Sequence, residues 1–174
     1  MVENQWVVEP FSKQRHDRGS FDCGNSLLND WLLTKANQFE KRDLARTYVL
    51  LENEQNREAV RGNYALSNHT IVFEALPEDQ AKGLPQIDVP AVLIGRLAID
   101  STLQGQGLGE FLLLDALRRI QCLSSKIGIQ AVEVDAIDTS AVRFYQKYGF
   151  LSLRDDSQHL FLPMKVIRKL KFPP

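Results

Sequence analysis

Apolar and polar residues alternate along this chain in three distinct rhythms. Ala91 to Ile99 is a nearly continuous apolar run, the pattern of a strand buried on both faces. Leu108, Leu112, Ala116, Ile120, Leu123 and Ile127 then recur at steps of three and four, with Leu113 and Leu117 widening the face, which predicts a long amphipathic helix. Leu27, Leu28, Trp31, Leu32, Lys35 and Phe39 share that spacing, so a helix is predicted over roughly 26–41, capped by Asn25 or Ser26. Lys41 and Arg42 at its end suit the negative pole of the helix dipole. Strict alternation from Ala131 to Ile137 predicts a strand.

The remaining stretches fall between these. Trp6 to Glu9 is a short strand candidate. Residues 46–51 and 59–67 form a predicted hairpin about a polar turn at 52–58, and 68–73 continues extended. Residues 75–90 carry Pro77, Pro85, Pro90 and Gly83 and read as a long loop. Asp138-Thr139-Ser140 can cap a helix over 139–148, which Gly149 would end. Two short strands, 150–153 and 160–164, follow. The basic tail from Lys165 to Pro174 reads as a frayed end, with RNA contact as the weaker alternative. Strands and helices in this order make an α/β chain.

Composition narrows the picture. At 174 residues, one domain over 1–174 is expected. A net charge of −1 gives no nucleic-acid signature for the chain as a whole, though it leaves room for a local basic patch. Cys23 and Cys122 are far apart and lack metal spacing, which suits a reducing cytoplasm and argues against both a disulfide framework and a metal site. No apolar run approaches the ~20 residues of a spanning helix, and no signal pattern opens the chain. A soluble, cytoplasmic protein is expected.

The candidate chemistry lies between the buried run and the long helix. Gly105, Gly107 and Gly109 stand at alternate positions there. A strand, a glycine-rich turn and a helix N-terminus together make an anion site, with a phosphate or pyrophosphate as natural occupant. The dinucleotide fingerprint fails because Glu110 occupies its last glycine position, and a P-loop fails for want of Gly-Lys-Ser/Thr. What fits is Gln-x-x-Gly-x-Gly at Gln104 to Gly109. It resembles the acetyl-coenzyme-A signature of the GCN5-related N-acetyltransferases (the GNAT family). Phe144-Tyr145-Gln146-Lys147-Tyr148-Gly149-Phe150 is similar to that family's Phe-Tyr-x-x-x-Gly-Phe stretch. Asp138-Thr139-Ser140-Ala141 replaces the family's Asn-x-x-Ala, so a cofactor hydrogen bond from residue 138 is in doubt.

The resemblance implies a mixed, mostly antiparallel sheet flanked by helices, with acetyl-coenzyme A as co-substrate. The pantetheine arm would bond to the backbone of Leu97, Ala98 and Ile99. The pyrophosphate would sit on the N–H groups of Gln104, Gly105, Gln106, Gly107, Leu108 and Gly109. Tyr145 would be the acid that protonates the departing thiolate. Phe21 to Asn25, Arg46 to Val49, Leu93 to Ala98 and Leu160 to Pro163 further resemble the acetyltransferase toxins of bacterial toxin–antitoxin pairs, over roughly 20–164. Those toxins acetylate the α-amino group of aminoacyl-tRNA, and their antitoxins are small ribbon-helix-helix proteins.

Three readings follow. The first is a translation-blocking toxin acting on aminoacyl-tRNA, with Arg46, Arg96 and Arg143 as candidate RNA contacts. The second is a housekeeping acetyltransferase for a protein N-terminus or small amine. The third, a non-catalytic binding module, is disfavoured by Tyr145 and the intact glycine turn. No convincing general base is evident. His69 is a candidate, but a lone histidine is more often structural, and an α-amino group of reference pKa near 8 can lose its proton to water. The assembly state is open, a homodimer included.

Overall fold

The computed structural model describes residues 5–53 and 57–172. Part of the expected 52–58 turn and the terminal Pro173 and Pro174 lie outside the described residues. Seven strands form one mixed sheet in the order β1-β2-β3-β4-β5-β7-β6, with helices flanking it. The chain comprises two compact units, Met1–Ser67 with Gly95–Ala116, and Asn68–Ile94 with Leu117–Pro174.

The first unit carries β1 (Trp6–Pro10), β2 (Arg46–Glu52), most of β3 (Gly62–Ile71), the end of β4 (Val89–Ile99) and the start of α4 (Leu108–Ser124). β1 and β2, and β2 and β3, pair antiparallel, so the expected hairpin forms, with its second strand shifted from 59–67 to Gly62–Ile71. Its core gathers Trp31, Leu32, Ala36, Val49, Leu51, Val60, Ala65 and Ala98.

The single helix expected over 26–41 is interrupted. It runs as α1 (Ser26–Asp30), a π-helical turn (Trp31–Lys35) and α2 (Ala36–Lys41). Asn25 is the cap, its Oδ1 accepting from the N–H of Leu27 at 3.0 Å and Leu28 at 3.2 Å. The π turn has an identifiable partner. Arg18 Nη1 donates to the carbonyls of Leu32 at 3.0 Å and Leu33 at 2.9 Å, while the Ala36 N–H reaches back five residues to Trp31. Gly62 lies where no side chain fits: a Cβ there would stand 2.9 Å from Ile99 Cδ1 and 3.0 Å from the Ala98 carbonyl.

The second unit is more regular. β4 pairs parallel with β5 (Ala131–Asp135) over Ala91–Leu93 and Ala131–Glu133. β5 and β6 (Leu151–Ser152) each pair antiparallel with β7 (His159–Pro163). Ile71, Leu76, Val89, Ala91, Ala131, Leu153 and Phe161 form its core. β5 stops two residues short of the expected Ile137, because the chain turns into the extended cap residue Asp138 of α5 (Thr139–Lys147). β6 is shorter than 150–153 because Phe150 N–H bonds back to the Tyr145 carbonyl. The expected 75–90 loop holds a short helix, α3 (Glu78–Ala81), and β4 already begins at Val89.

The tail is not frayed where it begins. Met164–Ile167 forms α6, anchored by the Met164 N–H on the Gln130 carbonyl at 2.9 Å, and Ile167 is fully buried. β4 also departs from expectation. Ala91, Val92, Ile94, Ala98 and Ile99 are buried, but Pro90 and Arg96 are exposed, so the strand is not sealed on both faces along its length. Among the described residues no helix is long and apolar enough to cross a membrane, and Cys23 and Cys122 are both free.

Candidate active site

In the first unit β4 ends at Ile99, a 3₁₀ turn (Ser101–Leu103) follows, and the glycine turn leads into α4 at Leu108. Gly105 and Gly107 take φ of +80° and +82°, values that L side chains rarely adopt. A Cβ at either position would meet nothing within 4 Å. These glycines therefore serve the backbone's path and the open space beside it, not packing against the protein. Gly109 is already helical. The bond from Phe111 N–H to the Gly107 carbonyl at 3.1 Å closes the first helical turn, so the N–H groups of Leu108, Gly109 and Glu110 have no acceptor within the helix. The Leu108 side chain is buried and anchors that first turn.

Side chains around the turn hold it in shape. Gln104 Nε2 donates to the carbonyls of Ile99 and Cys23, both at 3.0 Å, tying the strand end to the 21–25 loop. Its side chain is thus committed, leaving its backbone for a ligand. Asp100 accepts from Thr102 N–H at 3.0 Å, Thr102 Oγ1 at 2.6 Å and Asp22 N–H at 3.2 Å. Burial pushes the Asp100 carboxyl up, but these hydrogen bonds outweigh it and hold the group below the usual carboxylate range. Asp22 in turn accepts from Gly24 N–H at 2.9 Å and Asn29 Nδ2 at 2.8 Å.

Just before this turn, Ala98 and Ile99 are buried and Leu97 is half-buried. Arg96 is left-handed, with φ of +61°. Its carbonyl accepts from Asn63 Nδ2 at 3.3 Å, and its guanidinium lies over the Trp31 ring, 5.3 Å from the centroid. Arg46 is differently placed: it is ion-paired to Asp43 at 2.6 Å and Glu40 at 3.4 Å, the ordinary salt bridging that competes with an RNA role. Arg143 is exposed on α5 of the second unit.

Tyr145 also belongs to the second unit. Asp138 Oδ1 accepts from Ala141 N–H at 2.8 Å, so this carboxylate is spent as the N-cap of α5. Gly149 ends the helix at φ +94°, as its position predicted. The Tyr145 ring packs between Phe144, 5.2 Å away, and Phe150, 5.4 Å away. Burial pushes its phenol above the ordinary tyrosine value, which keeps the proton on the oxygen across the physiological range.

The sequence reading missed one cluster in this unit. Glu133 on β5 is fully buried, and its two carboxylate oxygens meet His69 Nδ1 and His159 Nε2. His159 also lies 3.2 Å from Asp155 and 3.8 Å from Asp135. Burial lowers the His159 pKa, but Asp155, Glu133 and Asp135 together outweigh it and raise the group above the usual histidine value. The Val-Glu-Val-Asp alternation reads as a solvent face; the partners that cover it stand 64 and 26 residues away in sequence. His69 is thus tied to a buried carboxylate rather than standing alone. Among the described residues, no group of three or more His, Cys, Asp or Glu side chains could hold a metal ion.

The chain is similar to known proteins over most of its length. The model of an acetyltransferase (GNAT) domain matches residues 39–167. A probable toxin, TacT, of Sinorhizobium fredii (strain NBRC 101917 / NGR234) is 33% identical over 172 residues, covering 94% of each chain. A tRNA-acetylating toxin of Mycobacterium tuberculosis (strain ATCC 25618 / H37Rv) is 33% identical over 154 residues, covering 88% of this chain and 90% of its own. Among solved structures, a tyrosine-to-phenylalanine mutant of KacT superposes with a TM-score of 0.90 at 32% identity, over 96% of this chain and 99% of that one. AtaT complexed with acetyl-methionyl-tRNAfMet gives a TM-score of 0.87 at 33% identity, over 94% and 97%. A mutant AtaT toxin bound to the C-terminus of the antitoxin AtaR and to acetyl-CoA gives 0.78 at 30% identity, over 94% and 96%.

Proposed function

The chain belongs to the GNAT acetyltransferases, and from that premise we propose that it is the toxin of a toxin–antitoxin pair, acting in the cytoplasm by acetylating the α-amino group of aminoacyl-tRNA and so stopping translation. The observation that carries this reading is the joint likeness, across nearly the whole chain, to a tRNA-acetylating toxin and to a toxin structure complexed with acetyl-methionyl-tRNAfMet. An antitoxin partner is supported by the antitoxin-bound relative; that it is a small ribbon-helix-helix protein is what the toxin resemblance implies, and a homodimer of single acetyltransferase domains over 1–174 is the assembly to test first.

Acetyl-coenzyme A fits the first unit. The turn from Gln104 to Gly109 offers open space at two left-handed glycines and the unpaired N–H groups of a seventeen-residue helix, which suit a pyrophosphate. The backbone of Leu97, Ala98 and Ile99 would take the pantetheine amides as an added strand would. The cofactor supplies the acetyl group as a thioester. This chain's own residues then have two tasks. An N–H near Leu97 and Ala98 would hold the thioester oxygen as it gains charge. Tyr145 would give its phenolic proton to the departing sulfur and recover one from solvent. The acceptor α-amine, with a reference pKa near 8, needs no strong base.

Expression of the chain without an antitoxin in a bacterial host tests the reading. Growth and incorporation of labelled amino acids should stop within minutes of induction. Normal growth with soluble, acetyl-CoA-binding protein present would favour the housekeeping acetyltransferase instead.

A further inference from the structure

One cluster lies outside the proposed chemistry and holds more acid than base. Glu133 is fully buried on β5, where a carboxylate is strongly destabilising unless it is paired. Its Oε1 accepts from His69 Nδ1 on β3, and its Oε2 from His159 Nε2 on β7. Asp135 and Asp155 approach the same His159 ring, at 3.8 and 3.2 Å. Among the described residues, no lysine or arginine bonds or pairs with Glu133, Asp135 or Asp155. The neighbouring β6, Leu151–Ser152, brings no charged side chain. The two histidines are therefore the basic partners these three carboxylates have.

The cluster spans more of the sheet than any one ladder. β4 lies between β3 and β5, so the contact of His69 with Glu133 reaches across it. Glu133 stands opposite Leu93 on the last rung of the β4–β5 ladder, although both strands run on. On the far side, the His159 N–H bonds to the Asp156 carbonyl at 3.1 Å, and the His159 carbonyl accepts from Leu153 N–H at 2.8 Å. The turn over 153–158 is thus tied to the ring through Asp155 and through this backbone. Two further bonds hold it, Arg154 N–H on the Ala75 carbonyl and Ala136 N–H on the Gln158 carbonyl, both 2.8 Å.

We propose that Glu133, His69 and His159 form a proton-operated latch, closed while His159 carries its proton and opened when that proton leaves. Closed, the imidazolium gives one N–H to Glu133 and the other to Asp155, so β5, β7 and the turn are joined by charge-assisted hydrogen bonds. Loss of the proton leaves one N–H for two carboxylates, and buried Glu133 loses the counter-charge that His159 supplied. The smallest opening that relieves this is local: the turn lifts and admits water to Glu133, while the ladders beneath stay paired. His69 has the steadier part, holding one Glu133 oxygen from the β3 side. The surrounding carboxylates keep the His159 proton above the usual histidine value, so the latch opens on the alkaline side of the ordinary histidine range.

Amide hydrogen exchange, read by NMR on the purified full chain from about pH 6 to about pH 8.5, tests the latch. After correction for intrinsic rates, protection at Ala136, Leu153 and Arg154 should fall about threefold as pH rises. The decline should level off where the His159 ring, followed by its own proton signal in the same samples, has finished titrating. Throughout, these amides should be less protected than Leu117 and Ile120 of α4, because the latch opens without unfolding the chain. Glu133→Gln removes the buried charge and should keep the turn protected across the range. His159→Gln keeps that charge and removes the proton, and should leave the turn weakly protected at every pH. Constant protection in wild type, a decline that does not follow the His159 titration, or protection at the turn equal to that in α4 would each overturn the latch, whether or not the variants fold. An undiminished decline in a folded Glu133→Gln protein would overturn it as well.

Discussion

The two units of this molecule are built by different means. The first is shaped by departures from regular structure: left-handed backbone at Gly105, Gly107 and Arg96, a π turn at Trp31–Lys35, and side chains that bond to backbone, notably Arg18, Asn63, Asp100 and Gln104. The second rests more on regular ladders, and what stands out in it are groups that titrate: a buried tyrosine on α5, and a buried glutamate between two histidines. On the proposed mechanism, the glycine turn binds largely through main-chain groups, and Tyr145 contributes a single proton. A surface made of N–H groups tolerates changes of neighbouring side chains but not of backbone path. A proton donor tolerates neither loss nor displacement of one atom.

The sharpest way to break that contrast is at Tyr145. Tyr145→Phe keeps the ring packed between Phe144 and Phe150 and deletes only the hydroxyl. Turnover should fall by about 10²–10⁴, or roughly 3–5 kcal/mol of barrier, while calorimetric acetyl-CoA affinity stays near wild type. Turnover within about threefold of wild type would make Tyr145 a packing residue.

Gly107→Val is the complementary change. A Cβ there meets no protein atom, so the core is untouched, but a β-branched residue resists φ of +82° and projects into the space proposed for the cofactor. Its bulk should weaken acetyl-CoA binding about tenfold or more, measured by calorimetry, while backbone strain of about 1–3 kcal/mol lowers the melting temperature by several degrees and leaves the protein folded at the assay temperature. Unchanged affinity in the folded variant would remove the pyrophosphate from this turn.

The smallest expected effect belongs to the histidine cluster. The raised His159 pKa means the folded state holds this proton more tightly than the unfolded chain. Its stabilisation is fully present below the ordinary histidine value of about 6.5 and is lost as pH rises through the raised folded value. Urea midpoints should therefore decline as pH rises above about 6.5, and His159→Gln should flatten the decline. Much of the ring's surroundings are solvent-screened, so the effect should stay under about 1 kcal/mol. Equal slopes in both proteins would show that another group titrates.

The same contrast decides what could be read from the sequence. The glycine turn, the long helix, the Asp138 cap and the Gly149 C-cap were legible because each depends on residues within a few positions of one another. The π turn was not, since Arg18 causes it from 14 and 15 residues away. Arg96's left-handed backbone was hidden inside an apolar run, and Gln104, named for its place in a motif, is committed to two carbonyls of the protein. The Glu133 cluster depends on strands that meet only in the folded sheet. α6 was mistaken for a loose tail because its anchor, the Gln130 carbonyl, lies 34 residues upstream.

Transfer of labelled acetyl groups from acetyl-CoA to a mixture of charged tRNAs by the purified protein tests the central claim most directly. Mild alkaline release of the amino acids from the tRNA should yield labelled N-acetyl amino acids, and uncharged tRNA should take up no label. Label found only on protein N-termini or small amines, with none recovered from charged tRNA, would contradict the account.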